Sequence, residues 1–149
     1  MVYFINYGDM GAITEDADGQ ITAVAGTPSA YSYEVKDASS FTENIQSSRE
    51  SGTTVFEQVL ELTLKKLSVT DHKELKAMTW GRPHVIIKDN NGNYFLAGRK
   101  FGMEVTGGSV ATGTAKTDLS GYTITLTGME PVPANFMDAD PATNGFTVV

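Results

Sequence analysis

The two histidines, His72 and His84, are the side chains best suited to acid–base chemistry near neutral pH. A nucleophilic triad would need one of them beside a nucleophile and an orienting carboxylate. His72 lies early in a predicted helix, His84 begins a predicted strand after a proline, and no Gly-x-Ser-x-Gly sequence accompanies either. We therefore predict no catalytic residues and no enzymatic activity.

Two acidic segments contain residue types that bind metal ions. Residues 89–93, Asp-Asn-Asn-Gly-Asn, superficially resemble a calcium loop, but an EF-hand needs glycine at its sixth position and glutamate at its twelfth. Here glycine is fourth and Lys100 is twelfth, so a hairpin turn is favoured. Glu15, Asp16 and Asp18 could bind a divalent cation weakly, although such acids more often form a solvated loop. Without cysteine, and with two separate histidines, zinc is disfavoured. We predict no metal and no cofactor.

Other ligand-binding patterns are weak. Residues 102–108 are rich in glycine but contain no lysine and precede no predicted helix, so they do not form a phosphate loop. No pair of carboxylates is selected for glycoside hydrolysis. Aromatic residues in or beside predicted strands could form a carbohydrate platform, but packing in a core or an interface is favoured. They are Tyr31, Tyr33, Tyr94, Phe95, Phe101 and Tyr122.

Composition favours one globular β-rich domain spanning residues 1–149. Eighteen acidic and eleven basic residues give a net charge of −7, which argues against general affinity for nucleic acid. There are no cysteines, so disulfides and thiolate chemistry are excluded. No signal peptide is readable, and no apolar run approaches the ~18 residues of a membrane span. We expect a soluble protein made in the cytoplasm.

Short period-two patterns dominate the chain and predict a mainly β fold, an antiparallel β-sandwich or barrel. The predicted strands are 2–5, 20–24, 31–36, 54–67, 84–88, 94–97, 103–106 and 122–127. Segment 54–67 also fits a helical period, but its β-branched residues favour a strand. A capping box at 68–71, followed by Gly81 and Pro83, predicts one short α-helix over about 69–80.

The connections are also predictable. Residues 16–19 form a turn, and Asn91-Gly92 suits a type I′ hairpin. Residues 1–30 could be an edge hairpin or an arm that becomes ordered only on assembly. Residues 131–149 contain three prolines and are predicted to form an extended C-terminal strap.

The segment 37–53 is the least ordinary part of the chain. It is polar and longer than the roughly 2–5 residues of a hairpin loop. Phe41 and Ile45 are its only large apolar residues, so we expect that it cannot bury itself. We predict a long protruding β-hairpin arm that contacts another copy of the protein through Phe41, Ile45, Arg49 and Glu50.

The order of parts is an N-terminal hairpin, a long hairpin arm, one helix and a run of antiparallel strands. This order resembles the tail tube proteins of tailed bacteriophages, whose fold is shared with the inner tubes of contractile injection systems. A narrower likeness lies in 56–68 (FEQVLELTLKKLS), 87–98 (IKDNNGNYFLAG) and 118–130 (DLSGYTITLTGME), with Gly102 and Thr112-Gly113 between them. These segments resemble small virion proteins of Bacteroidetes-type phages and prophages, over roughly residues 50–130.

The resemblance implies a homo-oligomer: a ring, expected to be hexameric, in which neighbouring sheets join into one β-barrel. Rings would stack into a tube in the virion tail, assembled in the host cytoplasm, contacting other tail proteins and having no membrane anchor. DNA would pass through during ejection without specific binding, past an acidic lumen to which Glu57 and Glu61 could contribute. Alternatives are a phage connector, ring or head-decoration protein, a carbohydrate- or ligand-binding β-sandwich module, and, third, an enzyme.

Overall fold

A computed structural model describes residues 1–35, 40–65, 69, 73, 76–77, 80–118 and 120–149. Most of the predicted helix over 69–80 lies outside these residues, as do His72 and residues 37–39 of the predicted arm. The strands of the described residues are β1 Val2–Ile5, β2 Ile13–Glu15, β3 Ile21–Val24, β4 Ser29–Tyr33, β5 Ser40–Ser48, β6 Thr53–Lys65, β7 His84–Lys88, β8 Tyr94–Ala97, β9 Glu104–Ala111, β10 Gly121–Glu130, β11 Asn135–Met137 and β12 Thr147–Val148.

The strands form two sheets. One has eight strands in the order β12-β4-β1-β7-β8-β11-β3-β2, and the other has four in the order β5-β6-β10-β9. The sheets are curled into a half-barrel, and pairing is antiparallel except where β11 meets β3 and β12 meets β4. The prediction of a mainly β, largely antiparallel fold is confirmed.

Strands β1 and β7 lie at the centre because each is apolar on both faces. Val2 and Phe4 of β1 point into a first core between the two sheets, whereas Tyr3 and Ile5 point into a second core within the curled eight-stranded sheet. This division follows from the alternation of side chains along a strand. The interpretation of residues 1–30 as an edge hairpin or an arm is therefore wrong for β1, which pairs with both β4 and β7. The edge hairpin in this region is β2–β3.

Of the predicted strand 54–67, residues 54–65 belong to β6, as predicted, and the inner face of β6 carries Leu60, Leu62 and Leu64 into the first core. No described residue of the arm 37–53 is buried, and only Phe41 and Glu43 are half-buried, which agrees with the expectation that the arm cannot bury itself. Residues 40–48 are strand β5, paired with β6 from Ser40↔Glu61 to Ser48↔Thr53. Backbone hydrogen bonds to β6 satisfy this polar segment without requiring apolar side chains. The predicted long β-hairpin is present, with a four-residue turn at 49–52.

The β7–β8 hairpin is present, but its turn is not type I′. That turn needs positive φ at both central residues, and only Gly92 has it, at 85°. The Gly92 N–H donates to Asp89 O (3.3 Å), while Asp89 Oδ1 accepts from the N–H groups of Asn91 (2.9 Å) and Asn93 (2.8 Å). These bonds, led by that from Asn93, lower the pKa of Asp89. The carboxylate therefore organises a wider turn than the Asn-Gly pair predicts.

Two other predicted elements end differently in the structure. Strand β9 continues through Gly107 and Gly108 to Ala111, with a register shift against β10. Gly108 is needed because a Cβ there would lie 2.4 Å from Thr123 O. The strap 131–149 is part of the fold, since β11 lies between β8 and β3 and β12 pairs with β4.

Substitution of Gly102 by alanine should unfold the domain more easily than the same change at Gly92. Both glycines have positive φ, but a Cβ at Gly102 would lie 2.3 Å from Arg82 O, whereas Gly92 has open space around it. We expect Gly102→Ala to lower the free energy of unfolding by about 3 kcal/mol and Gly92→Ala by about 1 kcal/mol. Urea denaturation measures both, and equal losses would contradict this account of the 98–102 loop.

Candidate assembly surface

The outer face of the four-stranded sheet is polar and acidic. The register aligns its outward residues in rows, including Asn44–Glu57–Met129, Thr42–Val59–Thr127–Glu104 and Ser40–Glu61–Thr125. Glu61 and Glu104 are exposed, and Glu57 is half-buried and accepts a hydrogen bond from Gln46 Nε2 at 2.6 Å. Among the described side chains of these rows there is no lysine or arginine. Glu57 and Glu61 thus share one solvent-facing surface; their position in a lumen stays a prediction.

Both edges of this sheet are long and unpaired within the described part of the chain. Strand β5 has nine residues and β9 has eight, and neither contains a lysine or a proline. Those are the residues with which soluble proteins commonly protect an edge strand. The eight-stranded sheet instead ends in β12 and β2, which have only two and three residues. Short edges offer few backbone groups to another chain, so the four-stranded sheet has the edges suited to strand addition.

The β5–β6 hairpin extends beyond its neighbouring strand. The last β10 pair is Glu130↔Phe56, so residues 53–55 of β6 pair only with residues 46–48 of β5. At the tip, Arg49 and Glu50 are exposed. Ile45, on the core-side face of β5, is 69% exposed. These three predicted contact residues lie on the surface of the isolated chain.

Phe41, the fourth predicted contact residue, lies in a different environment. It is half-buried and packs against the first core. Its side chain therefore already has apolar contacts within its own subunit. Whether any of the four residues contacts another copy stays a prediction.

A buried polar network supports the base of the hairpin. Gln58, 1% exposed, accepts a hydrogen bond from the Gly98 N–H at 2.9 Å and donates to Glu43 Oε2 at 3.0 Å. The same glutamate oxygen accepts from the Ala134 N–H at 2.9 Å. The network joins β5 and β6 to the loop after β8 and to the strap. The sequence signal for it was a glutamine between Phe56 and Leu60 on an otherwise apolar face.

Glu130 is a buried acid at this end of the sheet. It is 1% exposed, and its carboxylate accepts from the N–H groups of Phe101 at 2.9 Å and Lys100 at 3.2 Å. The carboxylate fixes the 98–102 loop against the end of β10 by hydrogen bonds to backbone groups. Its role is positional, and sequence reasoning did not identify it.

His84 has structural contacts. Its Nδ1 lies 2.5 Å from Gly98 O, and because a carbonyl oxygen only accepts, Nδ1 must carry the proton. The ring stacks on Tyr7 with centroids 5.4 Å apart. Burial lowers the pKa of His84, opposed by the hydrogen bond to Gly98 and by the negative charges of Glu130 and Asp9. A buried neutral imidazole held in this way orients the start of β7.

Stability should depend on pH through His84. The unfolded chain has the ordinary pKa of about 6.5, above that of the folded state, so the unfolded state binds more protons between the two values. Stability is therefore full above pH 6.5 and falls as the pH decreases toward the folded pKa. Urea denaturation between pH 5 and 8 should show this slope in the parent and in His72→Gln. The slope should be absent in His84→Asn, and its persistence there would contradict the assignment.

The acidic segments examined for metal binding serve the turns. Asp16 Oδ1 accepts from the N–H groups of Asp18 and Gln20, both at 2.9 Å, and Glu15 forms an ion pair with Arg99. Among the described residues no three ligating side chains are grouped to hold a metal ion. In the same part of the chain, no helix has the length and apolar character needed to cross a membrane.

Comparison of the chain with protein-family models, curated proteins and solved structures finds no match.

Proposed function

We propose that this chain is a structural, non-enzymatic protein of a tailed-bacteriophage virion, and specifically a subunit of the tail tube. The observation that carries the proposal is the four-stranded sheet, whose two long edges are unpaired among the described residues and lack lysine and proline, and whose outer face is acidic. The resemblance of segments 56–68, 87–98 and 118–130 to phage virion proteins supports the same class.

The sheet is suited to closure into a ring. Its strands alternate in direction from β5 through β6 and β10 to β9, so the two edges run in opposite directions. In a ring of equivalent subunits, β9 of one copy would therefore lie antiparallel to β5 of the next. This head-to-tail contact uses two different surfaces and closes into a cyclic assembly when the rotation permits. The unpaired backbone groups of both edges would then be satisfied.

The outer face of the sheet suits the wall of a channel for DNA. When sheets close into a barrel, one face of each sheet lies toward the axis. In the proposed ring this is the outer face of the four-stranded sheet, which carries threonines with Glu57, Glu61 and Glu104. Such a surface repels phosphate and offers few cations for it to bind. The chain's net charge of −7 supports the same arrangement.

The hairpin tip supplies a means of stacking rings. Residues 46–55 extend beyond β10, so they reach past the row of strands that would form the barrel wall. Exposed Ile45 offers an apolar contact, and Arg49 and Glu50 carry opposite charges at the tip. We expect these residues to lie on the next ring.

Negative-stain electron microscopy of the purified full chain, with light scattering on the same sample, tests the proposal. We expect rings or stacked tubes that become more abundant as protein concentration increases. A monodisperse monomer at millimolar concentration would contradict it.

A further inference from the structure

A cavity of about 550 Å³ opens beside the ends of β1 and β4 and the start of β7. None of its described lining residues belongs to the four-stranded sheet. Its described walls include Phe4, Asn6, Tyr7, Tyr31, Tyr33 and Arg82. The volume lies within the range of small-molecule sites, roughly 300–1,000 Å³.

Four of the nine described lining residues are aromatic. Phe4 and Tyr31 are directly opposite across β1 and β4, and Tyr33 meets Phe4 edge-to-face with centroids 5.4 Å apart. Tyr31 is 38% exposed, so its ring is accessible to a ligand, whereas the Tyr7 ring is already packed against Arg82 and His84. Flat, partly exposed tyrosines combine a ring face for apolar contact with a hydroxyl for hydrogen bonding. This combination suits a ligand that is itself flat and rich in hydroxyl groups.

The cavity wall also contains one arginine, Arg82. The guanidinium of Arg82 lies 4.5 Å from the centroid of the Tyr7 ring, and Tyr7 in turn stacks on His84. An arginine held over a ring keeps its planar set of N–H donors available for a carboxylate or a phosphate. The chain has eighteen acidic residues, yet none is among the described lining residues. Arg82 is therefore the only charged side chain among the described lining residues.

We propose that this cavity binds an acidic saccharide, that is, a sugar ring carrying a carboxylate or a phosphate. The sugar ring packs on Tyr31, its hydroxyls bond to the Tyr31 hydroxyl and the Asn6 amide, and its anionic group pairs with Arg82. Binding here is a further activity, separate from assembly through β5 and β9.

Isothermal titration calorimetry and saturation-transfer NMR on the full chain test this assignment. The probes are glucuronic acid, glucose 6-phosphate, glucose and inorganic phosphate. We expect saturable millimolar binding of one or both acidic sugars, and about tenfold weaker binding of glucose and of phosphate alone. The acidic sugar that binds identifies the preferred anionic group.

The variants separate the two halves of the site. Arg82→Gln should lower the affinity for the acidic sugars to that for glucose, and Arg82→Lys should give an intermediate affinity. Tyr31→Ala should weaken the binding of every sugar. Phe101→Ala removes an exposed ring that also has a cation over it, Lys100 at 5.2 Å, but lies outside the cavity, so it should change nothing. Absence of saturation, equal binding of glucose or phosphate, or unchanged binding in Tyr31→Ala would overturn the proposal.

Discussion

Shortening the β5–β6 hairpin is expected to abolish tube formation while leaving the domain folded. Replacing residues 47–54 with Asn-Gly removes the part of the hairpin that pairs only with itself and retains a favourable two-residue turn. The buried Gln58 and Glu43 lie toward the base of the hairpin and are kept. We expect a loss of less than about 1 kcal/mol in the free energy of unfolding, because the removed residues are exposed. Electron microscopy should show single rings or monomers in place of tubes.

A change at the other hairpin turn is the control for this variant. Asn91→Ser alters an exposed turn of the eight-stranded sheet, away from both edges of the four-stranded sheet, and should assemble like the parent. Tubes of normal length from the shortened hairpin would show that the tip takes no part in stacking. The proposed roles of Arg49 and Glu50 would then be withdrawn.

The second large effect is expected at Glu130. Glu130→Ala leaves the N–H groups of Lys100 and Phe101 without their acceptor and opens a small cavity at the end of β10. We expect a loss of about 3 kcal/mol in the free energy of unfolding, measured by urea denaturation.

Two matched variants distinguish burial from charge. Glu130→Gln retains one acceptor oxygen and should lose less of the free energy of unfolding than Glu130→Ala. Glu104→Ala removes an exposed acid of the outer face and should change stability by no more than about 0.5 kcal/mol. If Glu104→Ala were as damaging as Glu130→Ala, the buried network would not be what holds the 98–102 loop.

Local patterns predicted most of the strands because alternating apolar residues identify a half-buried strand directly. The described residues of the runs at 54–67, 84–88 and 122–127 all lie in strands. The apolar sequence of β1 marked a strand, but its central place depends on distant partners, β4 and β7, that no local pattern reveals. Strand β11 was predicted only as part of a strap because its partners, β8 and β3, are also distant in sequence.

The hairpin arm of the candidate assembly surface was predictable from the sequence, whereas the hydrogen-bond network that supports the arm was not. The length and polarity of 37–53 indicated a hairpin arm, and the backbone pairing of β5 to β6 holds this arm without apolar side chains. The buried network of Gln58, Glu43 and Glu130 depends on loops that are far away in sequence. Only the isolated glutamine on the apolar face of β6 hinted at it. The aromatic cavity likewise arises from three segments brought together by the fold.

The most direct test of the tail tube proposal is a cryo-electron microscopy reconstruction of the assembled protein at a resolution that separates strands. We predict that β9 of each subunit is hydrogen-bonded antiparallel to β5 of its neighbour, with Glu57 and Glu61 facing a central channel. A reconstruction in which both edges are exposed to solvent, or in which this acidic face lies on the outside of the particle, would contradict the proposal.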